Sequence, residues 1–584
     1  MSDKRSVDVD MGPAPRDDKA VAIVDDTETH SSSSNSRPSF LSSPRNLIVF
    51  YIFCYIFYTL SSLQIHIANN IGVYVTSSFS HAPLVTTAEV ISWIVAGATK
   101  LPLARVLDGV GRPVGWVIIV LATTIGLILY AACTSVSTYA AATVFYWLGF
   151  QSTLYILSVF IADTSPLAWR GVLFGLLQSS DLFATFVGPA AAQSLVERSS
   201  WRWGYGGFAV AVPLAGVPVL FVLVMQGRSL REGERRDEGG LGRRVWDFVV
   251  EFDLLSLLLL TIGTVLFLLP FSLATYQSSK WRSAPVITLL VLGVVFLALF
   301  ALYERYLAPK PFLPFHLLTD RTVLGCCIII AAMQSSISCW DQNLLPYLQL
   351  AFNLNIRDAG YISSIHTLGS VLWIIATGFL IRYYSRPKWI AVLACLVQIL
   401  GTGLMIAFRQ KEWGVGRLHV AQVLVACSTG TLQICAEIAI MAALPPESTA
   451  LALGLILLFV SFGGAIGGSI RGAIWTNTLL PKLREGLPDA VAKAVYGDLR
   501  AALRFPVGSP ERAVIVESYT WSEKWMCMAA TGILAVCLGA VLVWRDVDVR
   551  DVDLERAGCV DGKRVRWFVG RGLMGRRVVQ ESQH

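Results

Sequence analysis

The feature that most constrains this chain is a recurrence. From Leu47 onward, apolar runs of about 20 residues return repeatedly, each long enough to cross a hydrocarbon layer of about 30 Å. They lie at approximately 47–70, 87–107, 114–132, 138–161, 171–195, 205–226, 253–275, 285–306, 323–350, 359–381, 388–408, 418–443, 449–475 and 523–544, fourteen in all. A backbone amide inside lipid has no water to bond, so runs of this length read as helices. Composition agrees: 54% of the 584 residues are hydrophobic, 15% are charged, and the mean hydropathy is +0.60. A soluble domain would carry roughly a quarter charged residues. Collagen, a disordered chain and a disulfide-stapled secreted scaffold are excluded on the same ground. The net charge, +7 from 47 basic and 40 acidic residues, is too small for this length to argue for a nucleic-acid partner.

The eleven cysteines lie mostly within the apolar runs, from Cys54 to Cys537, with no CxxC pair and no His at zinc spacing. They read as small hydrophobes inside helices, and no metal site or cofactor is expected. Residues 1–45, with the run Ser31-Ser32-Ser33-Ser34, have no apolar periodicity and read as a disordered tail. The first apolar run starts too late for a cleavable signal peptide, so the first span itself targets the chain.

Charge asymmetry orients the spans. Arg228, Arg231, Arg235, Arg236, Arg243 and Arg244 crowd the loop 227–250, whereas loops 71–86 and 133–137 have no Lys or Arg. The positive-inside rule then puts both termini in the cytoplasm. Arg409, Lys411 and Arg417 run against the rule in one outer loop.

An internal repeat gives the architecture. Ala104-Arg105-Val106-Leu107-Asp108-Gly109-Val110-Gly111-Arg112-Pro113 follows the second span, and Gly378-Phe379-Leu380-Ile381-Arg382-Tyr383-Tyr384-Ser385-Arg386-Pro387 follows the tenth in the same register. Two six-helix halves would give an offset of six spans. An offset of eight implies six, two inserted, and six, and parallel six-helix repeats belong to secondary transporters. The fold class expected is therefore an all-α integral membrane protein with two six-helix halves plus two inserted helices. Its segments are a tail at 1–45, a first bundle at 46–226, a cytoplasmic linker at 227–252, the inserted pair at 253–306, and a second bundle at 307–544 with a long outer loop at 476–522. A basic cytoplasmic tail at 545–584 ends the chain.

The turn Asp108-x-x-Gly111-Arg112 resembles the signature of the major facilitator superfamily, with Ala104 where that pattern has Gly and Pro113 where it has a basic residue. Asp163-Thr164-Ser165-Pro166 through Arg170-Gly171 resembles the superfamily's linker between the fourth and fifth helices. The resemblance implies a cytoplasmic gate built on Asp108, Gly111, Arg112, Asp163 and Arg170, with Arg386 as the counterpart in the second half. Gly188-Pro189 is similar to the core of the antiporter signature, though Ala184 and Ala192 replace flanking glycines.

Polar groups inside spans are costly and mark function by default. The first span carries Gln64, His66, Asn69 and Asn70; the fourth, Gln151 and Tyr155; the fifth, Gln178 and Asp181. The ninth carries Gln334, Trp340, Asp341, Gln342, Asn343 and Tyr347, with Pro346 removing the helical donor of the Gln342 carbonyl. In the twelfth, Gln433 and Glu437 stand one turn apart. In the six-two-six register, the first and fourth helices of each half carry most of these. Asp341 and Glu437 are the foremost candidates for proton coupling or substrate contact; Lys100 and Arg471 are basic groups that pair with such acids or reach to the interface. Gly464 and Gly468 form a GxxxG packing contact. No nucleophile elbow, Walker loop, dinucleotide fingerprint or HExxH is present, so an enzyme is not expected.

Several segments resemble the fungal siderophore-iron transporters: Tyr74-Val75-Thr76-Ser77-Ser78-Phe79-Ser80-His81, Trp201-Arg202-Trp203-Gly204-Tyr205-Gly206, Gly472-Ala473-Ile474-Trp475-Thr476-Asn477-Thr478, and Phe505-Pro506-Val507-Gly508-Ser509-Pro510-Glu511-Arg512. The resemblance implies fourteen helices, proton-driven uptake of ferric siderophores of hydroxamate type, and an outer loop at 476–522 that caps the entrance. A ferric trihydroxamate is bulky and nearly neutral, so its cavity needs amides and aromatics more than a counter-charge. Gln151, Tyr155, Gln334, Trp340 and Tyr347 are of those types. The partners expected are the chelate, protons and the bilayer, for a monomer in the plasma membrane or, alternatively, an endosomal vesicle. A drug, thiol or organic-anion antiporter of the same fold is the rival reading, and a non-transporting membrane sensor is a third.

Overall fold

The computed structural model describes residues 43–77, 82–109, 111–165, 167–231, 253–273, 282–308, 319–409, 414–444, 449–550, 552, 566–568 and 576–578. The tail at 1–42 and most of the linker and of the basic tail lie outside them.

The apolar runs are helices. The first set comprises α1 (Pro44–Ser77), α2 (Ala82–Ala98), α3 (Lys100–Gly109), α4 (Arg112–Ala132), α5 (Val136–Thr164), α6 (Leu167–Gln178), α7 (Ser180–Arg198) and α8 (Trp203–Arg231). Next come α9 (Leu254–Leu273) and α10 (Ala284–Tyr306), which pack on each other as a hairpin. The last set is α11 (Arg321–Trp340), α12 (Leu344–Phe352), α13 (Ile356–Ser363), α14 (Ile365–Tyr384), α15 (Pro387–Phe408), α16 (Gly414–Ala443), α17 (Thr449–Gly486), α18 (Asp489–Gly497), α19 (Leu499–Leu503) and α20 (Pro510–Val543). A short antiparallel pair, β1 (Arg566–Phe568) with β2 (Arg576–Val578), follows in the basic tail.

Among the described residues, twelve helical stretches are long and apolar enough to cross a membrane, and two shorter apolar helices, Ala88–Ala98 and Leu255–Phe271, stand where the second and seventh runs lie. The chain is a multi-pass membrane protein. Phe186, Leu214, Phe221, Val291, Leu393 and Leu400, all more than 45% exposed, face outward where only an apolar solvent tolerates them.

Several runs are broken for local reasons. Pro102 lacks an N–H, so the second run divides at Thr99, whose hydroxyl donates to the carbonyls of Val95 and Ala96, both at 3.0 Å. The fifth run divides at Ser179 and the ninth at Asp341–Asn343, just ahead of Pro346. The two repeat turns share one device. Gly111 (φ 119°) and Ser385 (φ 60°) take left-handed backbone, and each is followed by an Arg-Pro that opens the next helix.

α1, α2, α4, α5, α7 and α8 pack among themselves, as do α11, α14, α15, α16, α17 and α20. The two sets meet along α2 and α3 against α17, and along α6 and α7 against α13 and α14. Gly464 and Gly468 of α17 serve this seam: a Cβ on Gly464 would stand 2.7 Å from the Trp93 ring. One end of the bundle, the termini face, carries Pro44, the α5–α6 and α14–α15 turns and Val543. The opposite end, the loop face, carries residues 487–509.

The stretch expected as an outer loop, 476–522, is mostly helix. α17 runs on to Gly486 and α20 already begins at Pro510, because their extensions bury Leu479, Leu483, Ile515 and Tyr519 with Ala492, Val495 and Ala502 of the intervening segment. Arg409 is also no loop charge. It is 1% exposed and ion-paired with the equally buried Glu523 of α20, so it has no bearing on orientation. The described cysteines are all free, and buried or half-buried.

Candidate cavity and gates

Between the two sets, toward the loop face, lies a cavity of about 420 Å³. α1 contributes His66, Asn69 and Asn70; the α11–α12 break contributes Asp341, Gln342 and Asn343, below Gln334 and Ser338 of α11. The break splays three polar side chains into one place, and its back is held rigidly. Arg409 donates to the Trp340 carbonyl through both terminal nitrogens at 3.3 Å and lies over the Trp340 ring at 5.1 Å, while the Tyr347 hydroxyl donates to the Arg409 carbonyl at 2.9 Å.

Across the seam, Arg471 of α17 pairs with Glu89 of α2 at 2.8 Å, and both line the cavity. This ion pair ties one set to the other. Arg471 is only 6% exposed, so removing its partner would leave a charge largely cut off from water. The rest of the wall, from α2, α4, α5 and α8, is aromatic: Trp93, Tyr130, Tyr139, Tyr146, Trp147 and Tyr205. Tyr496, Gly497, Asp498 and Leu499 of the 487–509 segment cover the loop-face side, and Arg500 lies over the ring of Tyr74 at 5.3 Å. The covering segment is itself braced: a hydrogen bond from Lys493, with the nearby Arg484, holds the Asp489 carboxyl below its ordinary range.

Both ends of the seam are crossed by contacts. At the loop face, Tyr74 donates to Gln349 at 2.9 Å, and a Cβ on Gly360 would stand 2.3 Å from Asn70 Oδ1 and 2.7 Å from Pro189. At the termini face, Arg382 sits 3.7 Å above the Trp169 ring, and a Cβ on Gly378 would stand 2.9 Å from the Gly171 and Val172 backbone. Water or a solute reaches the cavity from one face only when the seal at that face parts.

Two helix sets, a cavity on their seam and a seal at each end give the plan of an alternating-access carrier, and the relatives agree. The fungal trichothecene efflux pump family (TRI12) matches residues 4–425. MFS siderochrome iron transporter 1 of Ajellomyces capsulatus is 40% identical over 517 residues, covering 87% of this chain and 88% of its own. The chain belongs to the fungal siderochrome iron transporter family of the major facilitator superfamily. MFS siderochrome iron transporter D of Aspergillus fumigatus is 38% identical, over 85% of this chain and 84% of its own. Siderophore iron transporter mirB of Emericella nidulans is 37% identical, over 82% and 81%. Among solved structures, an autoinhibited POT family peptide transporter superposes with a TM-score of 0.53 at 14% identity, over 85% of this chain and 98% of that one. A bacterial homolog of the lysosomal transporter Spinster, inward-facing and occupied, gives 0.51 at 14% identity, over 85% and 96%. These last two share the fold. Relatives and structural neighbours alike are membrane transporters rather than enzymes.

Of the residues singled out in the sequence, the structure brings His66, Asn69, Gln334 and Asp341 into the cavity wall. Trp340 and Tyr347 are wholly buried behind the α11–α12 break and position it. Asp181 lies within the first set, hydrogen-bonded by Ser62 and 3.9 Å from His66 Nε2, where Gly188 leaves room for the His66 side chain. Gln433 and Glu437 bond each other at 3.2 Å on the part of α16 nearer the termini face, where neighbouring Ile434 packs on Gly171. Gln64 is buried, with no hydrogen bond to its amide among the described residues. Gln151 and Tyr155 stand off the cavity; α5 instead presents Tyr139, Thr143, Tyr146 and Trp147, an i, i+4, i+7, i+8 stripe that the sequence shows once the facing side is known.

Of the residues expected to form a gate, Arg112 and Asp163 pair at 3.0 Å. Arg170 donates to the Ala162 and Ser165 carbonyls and to Met441 of the other set. Asp108 lies in the last turn of α3, and its side chain lies outside the described residues. Arg386 turns to its own set and pairs with Asp546 and Asp548 beyond α20, at 3.5 and 3.9 Å. Sequence reasoning does not single out Trp169, Arg382 or Glu89; Arg382 stands within the repeated turn, but the turn does not show its partner.

Proposed function

We propose that this chain imports ferric siderophore chelates of the hydroxamate type, driven by protons, by alternating access between the seals at the two faces. The observation that carries the reading is the cavity: a seam between two helix sets, lined chiefly by amides, hydroxyls and aromatic rings, with carboxyls at Asp341 and Asp498, in which the basic group Arg471 is already neutralised by Glu89. Such a lining suits a bulky, nearly neutral chelate. Relatives named siderochrome transporters over most of the chain support the same cargo. In this reading the termini face is cytoplasmic, the two short apolar helices complete fourteen spans, and the monomer works in the plasma membrane. Asp181 beside His66, Glu437 and Asp341 are the groups that take up and release protons, shifting the balance between outward- and inward-open forms. Asp108, Arg112, Asp163, Arg170 and Arg386 steady the turns of the cytoplasmic gate.

The test is uptake of radioactive iron as several chelates, in yeast lacking its own siderophore carriers, with and without a protonophore. Protonophore-sensitive accumulation of a hydroxamate chelate supports the proposal; no uptake despite surface expression refutes it. The match to an efflux-pump family over residues 4–425 favours proton-driven export as the second reading, and in that case the same cells would show lowered retention of a preloaded organic compound.

A further inference from the structure

The aromatic wall is a built surface rather than loose packing. Tyr130 stacks on Tyr205 with centroids 4.7 Å apart, and meets Tyr139 and Tyr146 edge-on at 5.2 and 5.8 Å. Trp93 and Trp147 lie 5.1 Å apart. Part of its polar complement bonds internally: Tyr130 donates to Thr143 at 2.9 Å, and Thr143 donates to the Tyr139 carbonyl at 2.8 Å. One hydroxyl is both buried and without a partner. Tyr146 lines the cavity and is 2% exposed, and its hydroxyl has no hydrogen-bond partner among the described residues. A buried hydroxyl without a partner is costly in the empty protein, and that cost is recovered when a ligand supplies the missing partner.

We propose that this wall is a subsite for the uncharged organic arms of the chelate, acyl or peptide groups, and that Tyr146 donates to a carbonyl oxygen on one of them. The inference rests on the chelate reading of the cavity and deepens it. A large ring surface with a buried, unpartnered hydroxyl fits an apolar arm bearing a carbonyl. A sugar would demand many polar partners, and an anionic arm would need a cation that Glu89 does not already hold. The iron-bearing end of the chelate then falls to the amides and hydroxyls of α1, α11 and the break at Asp341. The wall thus decides which chelates are accepted, not whether the carrier turns over.

The experiment uses the full chain in proteoliposomes and two ferric trihydroxamates with the same core, one carrying an acetamido group on each arm and one carrying in its place an isobutyl group of similar volume, with no charge and no carbonyl beyond the hydroxamates. For the unchanged chain kcat/KM favours the acetylated chelate. Tyr146→Phe removes only the hydroxyl and lowers that preference about two- to tenfold, the worth of one neutral hydrogen bond. Trp147→Leu strips ring surface from the wall and lowers kcat/KM for both chelates, whereas the effect of Tyr146→Phe falls on the acetylated one. Retention of the full preference in Tyr146→Phe overturns the subsite, as does an unchanged chain that transports both chelates equally. Absence of uptake of either chelate by the unchanged chain overturns this inference and the proposed function together. If Trp147→Leu does not fold, Tyr146→Phe, which preserves volume, decides alone.

Discussion

Replacing Arg409 by Met should destabilise the protein severely, and replacing Glu523 as well should restore most of the loss. Both side chains are at or below 1% exposure and each is the other's charged partner. Removing one member of such a pair leaves an uncompensated charge in a medium that cannot solvate it, a cost of about 3–5 kcal/mol, whereas exchanging both for apolar groups of similar volume is often neutral. Arg409→Met also strips two donors from the Trp340 carbonyl, so it should be the worse of the single variants. Glu523→Leu keeps those bonds and falls at the lower end. At about 1.4 kcal/mol per tenfold, either single change shifts the folded-to-unfolded ratio by at least a hundredfold. The assay is unfolding in mixed micelles across a series of sodium dodecyl sulfate mole fractions, followed by tryptophan fluorescence, for the unchanged chain, both singles and the double. A coupling energy of about 3 kcal/mol or more is expected. Strict additivity, with the double as damaged as the two singles summed, would refute the burial argument.

The remaining predictions concern the seam and the gates. Gly378→Ala places a methyl group 2.9 Å from backbone atoms of Gly171 and Val172, which costs about 1–3 kcal/mol in the form closed at the termini face and nothing when that face is open; maleimide labelling of a Cys at Thr367 should accelerate from the termini side, and unchanged labelling would count against the seal. Glu437→Gln should abolish concentrative uptake while chelate exchange between the two sides persists, measured in proteoliposomes with and without a pH gradient; full accumulation in the variant would remove Glu437 from coupling. Arg386→Ala should change stability by under about 1 kcal/mol, because Arg386 is 60% exposed and its pairs with Asp546 and Asp548 are screened by water; a loss like that of Arg409→Met would mean that these pairs anchor the end of α20.

What the sequence discloses follows from the solvent. Lipid forces helices on any long apolar run, so the helices themselves, the repeat turns at Gly111 and Ser385 and the break ahead of Pro346 are legible. Lipid also hides what the runs do to one another. In water, an aromatic stripe such as Tyr139, Tyr146 and Trp147 would be taken for a core face; in a membrane it fits lipid, a neighbouring helix or a cavity equally well. Only packing reveals that it faces the cavity while Gln151 and Tyr155 do not. Glu89 escapes a reading of single spans because its partner, Arg471, is 382 positions away. Arg409 reads as a loop charge because hydropathy ends a span where a buried ion pair begins.

The hairpin between the two sets has a mechanical consequence. α9 touches both α2 and α17, one from each side of the seam, and where they converge the surface is Val90, Ile94, Leu268 and Ala465, all apolar side chains. Dispersion contacts are individually weak and, unlike an ion pair, leave no unsatisfied polar group when they part. A shift of one half against the other at this cluster breaks no polar bond, so α9 is placed as a greased bearing rather than as a strap.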